Sequence, residues 1–270
     1  MIGVFDSGLG GLTVLKHFLK RLPQYNYIYL GDNARVPYGE KSHETIYQYV
    51  KEAIDFLFAQ KCEIIILACN SASAEALRKI QREYLPAKYP GKKVLGVIRP
   101  LAEKFSGNNK FKKIGIIGTN ATIASNAYKT EIKKLNPSAK VYQQATPLLV
   151  PLIENGCAHQ AETKIILKKY LKNFQIKKID TLILGCTHYP FVLKEIKEIM
   201  QNTCAVPDTG AIIAESLENY LARHSELKIK KSKSPKRLFY TTDDPIKFKK
   251  IGEKFLGQEI KNIKNVSLQK

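Results

Sequence analysis

Cysteine is scarce in this sequence, and its arrangement excludes two kinds of small stabilised domain. The chain has five cysteines, an odd number, and none of them forms a CxxC pair. A disulfide framework or a structural zinc site needs paired spacings, so we expect neither, and no metal site is predicted. Free thiols are typical of a reducing compartment, which favours a cytoplasmic protein. The cysteines are residues 62, 69, 157, 186 and 204.

The sequence also has little arginine, despite a formal net charge of +20. Only seven of its 44 basic residues are arginine, while lysine is spread along the chain and is densest between Lys228 and Lys236. Arginine is the usual bidentate reader of phosphates and base edges. A lysine-rich solvated surface is therefore favoured over specific nucleic-acid binding. A non-catalytic basic protein that binds nucleic acid remains the alternative from a different class.

Long apolar segments are missing as well. The longest apolar runs, such as Ile64 to Cys69, are far too short to span a bilayer. The chain opens with MIGVFDSG, which has neither the basic segment nor the apolar region of a signal peptide. We therefore expect no membrane association.

The sequence does contain a series of short apolar runs separated by helical patterns. One helix is predicted around Ile46 to Leu57, where apolar residues recur every three or four positions. Continuous apolar strands alternating with helices are typical of α/β proteins whose parallel sheets are covered on both faces. The predicted strands are Ile2–Phe5, Tyr27–Leu30, Ile64–Ala68, Val94–Ile98, Ile114–Ile117, Val141–Gln143 and Leu182–Leu184.

The pattern of the two halves indicates an internal duplication. IGVFDSG at Ile2 and IGIIGTNAT at Ile114 each open a half. IIILACNSAS, with Cys69, and TLILGCTHYP, with Cys186, follow at similar distances. We therefore predict two pseudo-symmetric αβα domains, each with a parallel sheet, and an active site in the cleft between them.

The domain limits follow from this duplication. The first domain is predicted at residues 1–97 and 208–270, so that the C-terminal segment completes it, and the second at residues 98–207. The boundary between the halves is expected near Arg99-Pro100. The C-terminal segment reads as helical and charged, with no third core.

Cys69 and Cys186 stand at the ends of predicted strands, where open α/β sheets bind ligands. Ser71 is the predicted N-cap of a helix after Cys69, and Pro190 suits the first helical position after Cys186. A helix N-terminus stabilises a thiolate, so a thiol pKa there is expected to fall from about 8.5 toward neutrality. One isolated cysteine is more often buried and inert, but two at equivalent strand ends favour chemistry. The other three cysteines lack this context and are predicted to be structural.

Three polar loops follow other strand candidates. DSGLGG at residues 6–11 lacks the GK[ST] of a Walker loop, and Thr13 replaces the third glycine of a dinucleotide fingerprint. PYG at 37–39 and GTNAT at 118–122 are similar polar loops. Backbone N–H groups in such turns can bind a carboxylate, and a tight turn without a ligand is the alternative.

Seven motifs occur in a fixed order between Ile2 and about Ser216: IGVFDSGLGGLTVL, GDNARVPYG, ACNSASAEAL, GVIRP, TPLLVPLIENG, LGCTHYPFV and DTGAIIAES. Together they closely resemble the bacterial glutamate racemases of the aspartate/glutamate racemase family. The resemblance implies an isomerase that interconverts L- and D-glutamate without a cofactor. It also implies D-glutamate supply for peptidoglycan, and hence cell-wall biogenesis and cell shape, by a cytoplasmic homodimer.

The resemblance implies roles for individual residues. Cys69 is expected to deprotonate D-glutamate and Cys186 L-glutamate, because two fixed groups on opposite faces avoid moving one base across the substrate. Asp6 is expected to assist Cys69, and His188 with Glu154 to assist Cys186. The implied substrate-binding residues are Asp6, Ser7, Pro37, Tyr38, Gly39, Asn70, Ser71, Thr119, Thr122, Thr187 and His188.

Two departures from the family pattern bear on these expectations. Ser71 stands where the family has threonine, and it keeps a hydroxyl donor. The N-terminus lacks the extension of members that a peptidoglycan precursor activates, so that regulation is not expected. Two enzymatic alternatives stay open: a racemase of another acidic amino acid such as aspartate, and a Cys–His hydrolase using Cys186 and His188. The hydrolase would leave Cys69 unexplained.

Overall fold

The computed structural model describes residues 1–107, 111–201 and 203–268. Its strands are β1 Ile2–Asp6, β2 Tyr27–Gly31, β3 Ile64–Leu67, β4 Lys93–Gly96, β5 Lys113–Gly118, β6 Lys140–Ala145, β7 Thr181–Gly185, β8 Arg237–Thr241 and β9 Ile263–Asn265. Its α-helices are α1 Leu12–Arg21, α2 His43–Ala59, α3 Asn70–Glu75, α4 Leu77–Lys79, α5 Leu85–Lys88, α6 Ile98–Ser106, α7 Asn120–Ala124, α8 Ala127–Leu135, α9 Leu149–Glu154, α10 Ala161–Lys177, α11 Leu193–Ile199, α12 Thr209–Arg223 and α13 Pro245–Leu256. Short 3₁₀ helices cover Asn33–Arg35, Tyr38–Glu40 and Tyr189–Val192, and a π-helical turn covers Ile80–Tyr84.

The strands form two parallel sheets. The first has the order β4-β3-β1-β2-β8-β9, and the second has the order β6-β5-β7. β1, β3 and β7 are buried along their whole length. Their continuous apolar sequences suit strands that helices cover on both faces, because no position faces water. The predicted α/β class with parallel sheets in two halves is confirmed.

The strand register shows the internal duplication residue by residue. β1 lies between β2 and β3 in the first sheet, and β5 lies between β6 and β7 in the second. Ile2 pairs with Ile64 in the first half, and Ile114 pairs with Thr181 in the second. Counting forward along β3 and β7 from these pairs brings the two candidate catalytic cysteines to the same position. They are therefore structural equivalents, just beyond the ends of these strands.

All seven predicted strands are present, but the fourth ends earlier than predicted. β4 ends at Gly96, and α6 begins at Ile98. The Arg99-Pro100 pair, predicted to mark a boundary, lies in the first turn of this helix, where the missing proline N–H costs no hydrogen bond. α6 packs against both α8 and α12. The chain therefore passes between the two halves through a packed helix rather than an open linker.

The C-terminal segment is more than the charged helical region that the sequence indicates. It contains α12 and α13, and it also contributes β8 and β9. β8 pairs with β2, and β9 pairs with β8, so the segment extends the first sheet. Domain limits at 1–97 with 208–270 and at 98–207 stay a prediction.

Side-chain caps mark where two of the longer helices, α2 and α12, begin. α2 follows Ser42, whose Oγ accepts the N–H of Thr45 at 3.2 Å. α12 follows Asp208, whose Oδ1 accepts the N–H of Ala211 at 3.2 Å. In the described part of the chain, no helix is both long enough and apolar enough to cross a membrane.

Candidate active site

Cys69 and Cys186 lie at the carboxyl ends of β3 and β7, one from each half of the chain. Both residues are buried, with relative exposures of 6% and 7%. The Cys69 thiol donates to Ser7 Oγ at 3.5 Å. Thr187, next to Cys186, donates its hydroxyl to Asp6 Oδ1 at 3.4 Å. The structure therefore brings the two thiols, the end of β1 and the end of β7 into one hydrogen-bonded site.

The surroundings of Cys69 favour its protonated form. Its sulfur accepts the N–H of Ala72 at 3.5 Å, which makes Cys69 itself the N-cap of α3. Burial, followed by the negative charge of Asp6, nevertheless raises the pKa of Cys69 to about 12. The expected fall toward neutrality is wrong for this thiol. Removing a thiolate from water costs more than the first turn of a six-residue helix returns.

Asp6 ends β1 and is fully buried. Its Oδ2 accepts the N–H of Gly8 at 3.0 Å, while Oδ1 accepts the Thr187 hydroxyl. Burial raises the pKa of Asp6, although the charge of His188 and the backbone N–H groups of Gly8 and Gly11 oppose the shift. A carboxyl group held this way takes up a proton more readily than an exposed aspartate does.

A chain of polar contacts runs from Cys186 through the His188 ring to Glu154. His188 Nδ1 lies 3.7 Å from Cys186 Sγ, and its Nε2 lies 2.9 Å from Glu154 Oε1. Burial alone would lower the pKa of His188, but its hydrogen bonds to Cys186 and Glu154 outweigh burial and raise the pKa to about 10. An imidazolium is therefore favoured at neutral pH, and it offers a positive charge to Cys186. The two thiols have unlike partners: a carboxyl group on one side and a histidine on the other.

A cluster of three hydroxyls joins the two halves. Ser71 Oγ lies 2.8 Å from Thr119 Oγ1 and 3.3 Å from Thr122 Oγ1, and the two threonine hydroxyls are 3.0 Å apart. Ser71 lies inside α3, so its predicted role as an N-cap is wrong; Cys69 caps α3. Thr119 caps α7 in the second half. A Cβ at Gly39 would come within 2.6 Å of Thr119, so the close approach of this loop requires glycine. The cluster offers hydroxyl donors of the kind that bind carboxylates.

The PYG loop reaches the same region. Pro37, which follows a cis peptide bond, is exposed, whereas Tyr38 and Gly39 are buried. The Tyr38 hydroxyl donates to Asp32 Oδ2, which also accepts from Arg35 Nε at 2.7 Å. Asp32 thereby fixes the Tyr38 side chain. Contact between Pro37 and a substrate stays a prediction.

The sequence is similar to those of known proteins along most of its length. The family model described as Asp/Glu/Hydantoin racemase matches residues 10–217. The glutamate racemase of Neisseria gonorrhoeae is 42% identical over 267 residues, which are 99% of this chain and 96% of that protein. The chain belongs to the Asp/Glu/hydantoin racemase family.

Solved structures from the family extend the similarity to the whole fold. The glutamate racemase of Francisella tularensis, solved in complex with D-glutamate, is 38% identical with a TM-score of 0.90, over 99% of this chain and 97% of that one. Glutamate racemase isoform RacE1 from Bacillus anthracis is 35% identical with a TM-score of 0.91, over the same shares. Both sheets and the C-terminal segment therefore belong to the common architecture.

Several contacts of this racemase-family site could not be found from the sequence. A Cβ at Gly10 would lie 2.2 Å from Thr187 Oγ1 and 2.6 Å from the His188 ring. Thr13 Oγ1 donates to the carbonyl of Thr187 at 2.9 Å. The glycine-rich turn at residues 6–11 belongs to the first half, whereas its partners Thr187 and His188 belong to the second half. Asp32 lies in the GDNARVPYG motif just after β2, but the motif does not reveal its hydrogen bond to Tyr38.

Histidine, cysteine and acidic side chains are spread over residues 1–107, 111–201 and 203–268. Within these ranges no three His, Cys, Asp or Glu side chains converge as metal ligands. Within the candidate site, Glu154 and His188 are hydrogen-bonded to each other.

Proposed function

We propose that this protein interconverts L- and D-glutamate by moving a proton at Cα between two thiols, Cys69 and Cys186. The observation that carries the proposal is the register of the strands. Both cysteines occupy the same position beyond equivalent strands, and both are buried. The glutamate racemases similar over nearly the whole chain support glutamate as the substrate. The proposed chemistry uses side chains alone.

Two thiols on opposite faces suit this reaction because the substrate need not turn between the two proton transfers. From L-glutamate, the Cys186 thiolate removes the Cα proton, and the electron pair stays on carbon as a carbanion. The Cys69 thiol then gives its proton to the opposite face. The products are D-glutamate, a Cys186 thiol and a Cys69 thiolate. The return reaction exchanges the two roles.

The different surroundings of the two thiols support a starting state in which Cys186 is the base and Cys69 is the proton donor. Burial and the charge of Asp6 give Cys69 a pKa of about 12, so it starts as the proton donor. Protonated His188, held by Glu154, places a positive charge beside Cys186, with Nδ1 3.7 Å from Sγ. In the proposed starting state, the protein accepts L-glutamate. Asp6 is the proposed assistant of Cys69 in the return reaction.

Fixed donors are proposed to hold the substrate carboxylates and to stabilise the carbanion. Negative charge spreads from Cα onto the α-carboxylate in the intermediate, where preorganised hydroxyl and N–H groups act without reorganising. The three-hydroxyl cluster supplies part of this set. The proposed substrate contacts are Asp6, Ser7, Pro37, Tyr38, Gly39, Asn70, Ser71, Thr119, Thr122, Thr187 and His188.

Access to the buried thiols is proposed to require separation of the two halves. Besides the hydroxyl cluster, Glu40 accepts two hydrogen bonds from Asn120 Nδ2, at 3.1 and 3.0 Å. These contacts connect the PYG loop with the end of β5. We propose that they re-form around bound glutamate, since water exclusion strengthens the electrostatic contacts of the site.

The proposed biological role is to supply D-glutamate for peptidoglycan, and so to support cell-wall biogenesis and cell shape. A cytoplasmic location and a homodimer are part of the same proposal. Comparing turnover of the L- and D-forms of glutamate and aspartate separates this activity from an aspartate racemase. Nucleic-acid affinity with steep salt dependence and no racemisation would favour the non-catalytic alternative.

The experiment is circular dichroism of L-glutamate with purified protein and no added cofactor. We expect the signal to decay toward zero with wild-type protein. Cys69→Ala and Cys186→Ala should each abolish the decay while staying folded, and Cys204→Ala, another buried cysteine, should keep it. Substantial racemisation by either folded active-site variant would refute the two-thiol mechanism. Activity from Cys69→Ala alone would instead favour chemistry at Cys186 and His188 only.

A further inference from the structure

Tyr128 contacts the neighbours of both thiols. It lies in α8 and is completely buried. Its hydroxyl donates to Asn70 Oδ1 at 2.6 Å, and Asn70 directly follows Cys69 in the chain. Its ring packs on Gly185, the residue before Cys186, where an added Cβ would come within 3.3 Å of Tyr128 Cε2. One phenol therefore touches both thiol-bearing strand ends.

A glycine stands at this place in one half only. The equivalent of Gly185 in the first half is Ala68, since both precede the equivalent cysteines. A methyl group at Gly185 would approach the Tyr128 ring and would also lie 2.7 Å from the carbonyl of Ile117. The second half has glycine here, and the Tyr128 ring packs directly against it.

The hydrogen bond from Tyr128 sets the orientation of the Asn70 amide. A phenol has one proton to donate, and here Asn70 Oδ1 accepts it. The amide nitrogen of Asn70 must then point the other way, with two protons to donate. Among the described residues, Nδ2 makes no hydrogen bond of its own. Asn70 is buried at 6% exposure beside Cys69, so this free donor lies within the candidate site.

We propose that Tyr128 is a positioning residue for the racemisation: it turns the amide N–H₂ of Asn70 toward the substrate carboxylate while its ring packs on Gly185 beside the other thiol. The inference rests on the proposed function. Tyr128 acts through Asn70 and touches no reacting atom. Without the phenol hydroxyl, the Asn70 amide can rotate, and the carboxylate loses a donor that is already aimed at it.

The test is Tyr128→Phe, which removes the hydroxyl and keeps the ring on Gly185. We expect KM for L- and D-glutamate to rise by about tenfold, the usual weight of one hydrogen bond to a charged group. A variant that merely folds less well would lose kcat in proportion to its inactive fraction and keep its KM. The matched control is Tyr27→Phe, another buried tyrosine whose hydroxyl bonds a backbone carbonyl, that of Leu22, at 3.1 Å. It should keep both constants.

Asn70→Ala and the double variant complete the experiment. Asn70→Ala should raise KM at least as much as Tyr128→Phe, and the double variant should be no worse than Asn70→Ala, because Tyr128 acts through Asn70. An unchanged KM in folded Tyr128→Phe, or additive losses in the double variant, would overturn the inference. If Tyr128→Phe does not fold, an unchanged KM in Asn70→Ala overturns it equally. Absence of racemisation by the wild-type protein would refute the proposed function itself.

Discussion

Glu154→Gln separates the charge of the Glu154 carboxylate from its shape. In the wild-type structure, Glu154 Oε1 lies 2.9 Å from His188 Nε2 and helps to raise the pKa of the imidazole to about 10. Glutamine keeps an oxygen acceptor but removes the negative charge. A hydrogen bond to a charged partner contributes about 1.5–3 kcal/mol. The Glu154 side chain is 33% exposed, so we take the lower part of that range.

Losing the energy of the Glu154–His188 hydrogen bond should shift the pH profile of kcat/KM. At about 1.4 kcal/mol per pKa unit, the pKa of His188 should fall by about one unit in Glu154→Gln. The wild-type pKa is raised above the ordinary value of 6.5, so the imidazolium and its support of Cys186 persist at neutral pH and are lost as pH rises through about 10. In the variant the same loss should begin about one unit lower.

The assay is kcat/KM for L-glutamate as a function of pH, because this constant reports ionisations of the free protein and substrate. Ionisation of the substrate is common to both proteins, so the difference between them isolates His188. Glu198→Gln is the matched control, since it removes an exposed carboxylate paired with Lys164 at 3.4 Å. An alkaline limb at the same pH in wild type and Glu154→Gln would refute the proposed support of Cys186 by the His188–Glu154 pair.

Two further predictions concern the partners of the thiols and the packing between the halves. In Asp6→Asn and His188→Asn, the primary isotope effects with Cα-deuterated glutamate should change unequally in the two directions, because each residue serves a different thiol. If neither variant changes the ratio of the L-to-D isotope effect to the D-to-L isotope effect, the partners are wrongly assigned. Gly10→Ala should lower the free energy of unfolding by about 1–3 kcal/mol and reduce turnover, because its Cβ would meet Thr187 Oγ1 at 2.2 Å. Gly107→Ala meets nothing within 4 Å and should change neither property, so equal melting temperatures of the two variants would contradict the packing argument.

The strand ends can be located from the sequence because buried parallel strands leave a direct signal. Ile64–Leu67 and Thr181–Gly185 are buried throughout, so nearly every position must be apolar or small. The repeat of such runs, each ending at a cysteine, indicated the equivalence that the register then showed. β8 has no such continuous apolar run, because it begins half-exposed and is fully buried only at Phe239–Thr241. Pairing with β2, rather than hydropathy, makes it a strand.

The chemistry of Cys69 depended on contacts that local sequence does not encode. A helix start after the thiol was correctly indicated, but the structure assigns the capping position to the cysteine and leaves Ser71 free to bond Thr119. The pKa of Cys69 follows from burial and from Asp6, which approaches from β1. Tyr128 approaches Asn70 across 58 residues of sequence. Such long-range contacts decide protonation and orientation, and they appear only once the chain is folded.

Deuterium labelling of early product tests the central claim, that Cys69 and Cys186 divide the two proton transfers. L-Glutamate is incubated with wild-type protein in heavy water, and the enantiomers are separated at low conversion and examined by NMR. Cys186 takes the substrate proton, and Cys69, exchanged with solvent before binding, delivers deuterium to the other face. We expect D-glutamate to carry deuterium at Cα while the remaining L-glutamate keeps protium. Early D-glutamate that retains mostly protium would show one group serving both faces and would contradict the account.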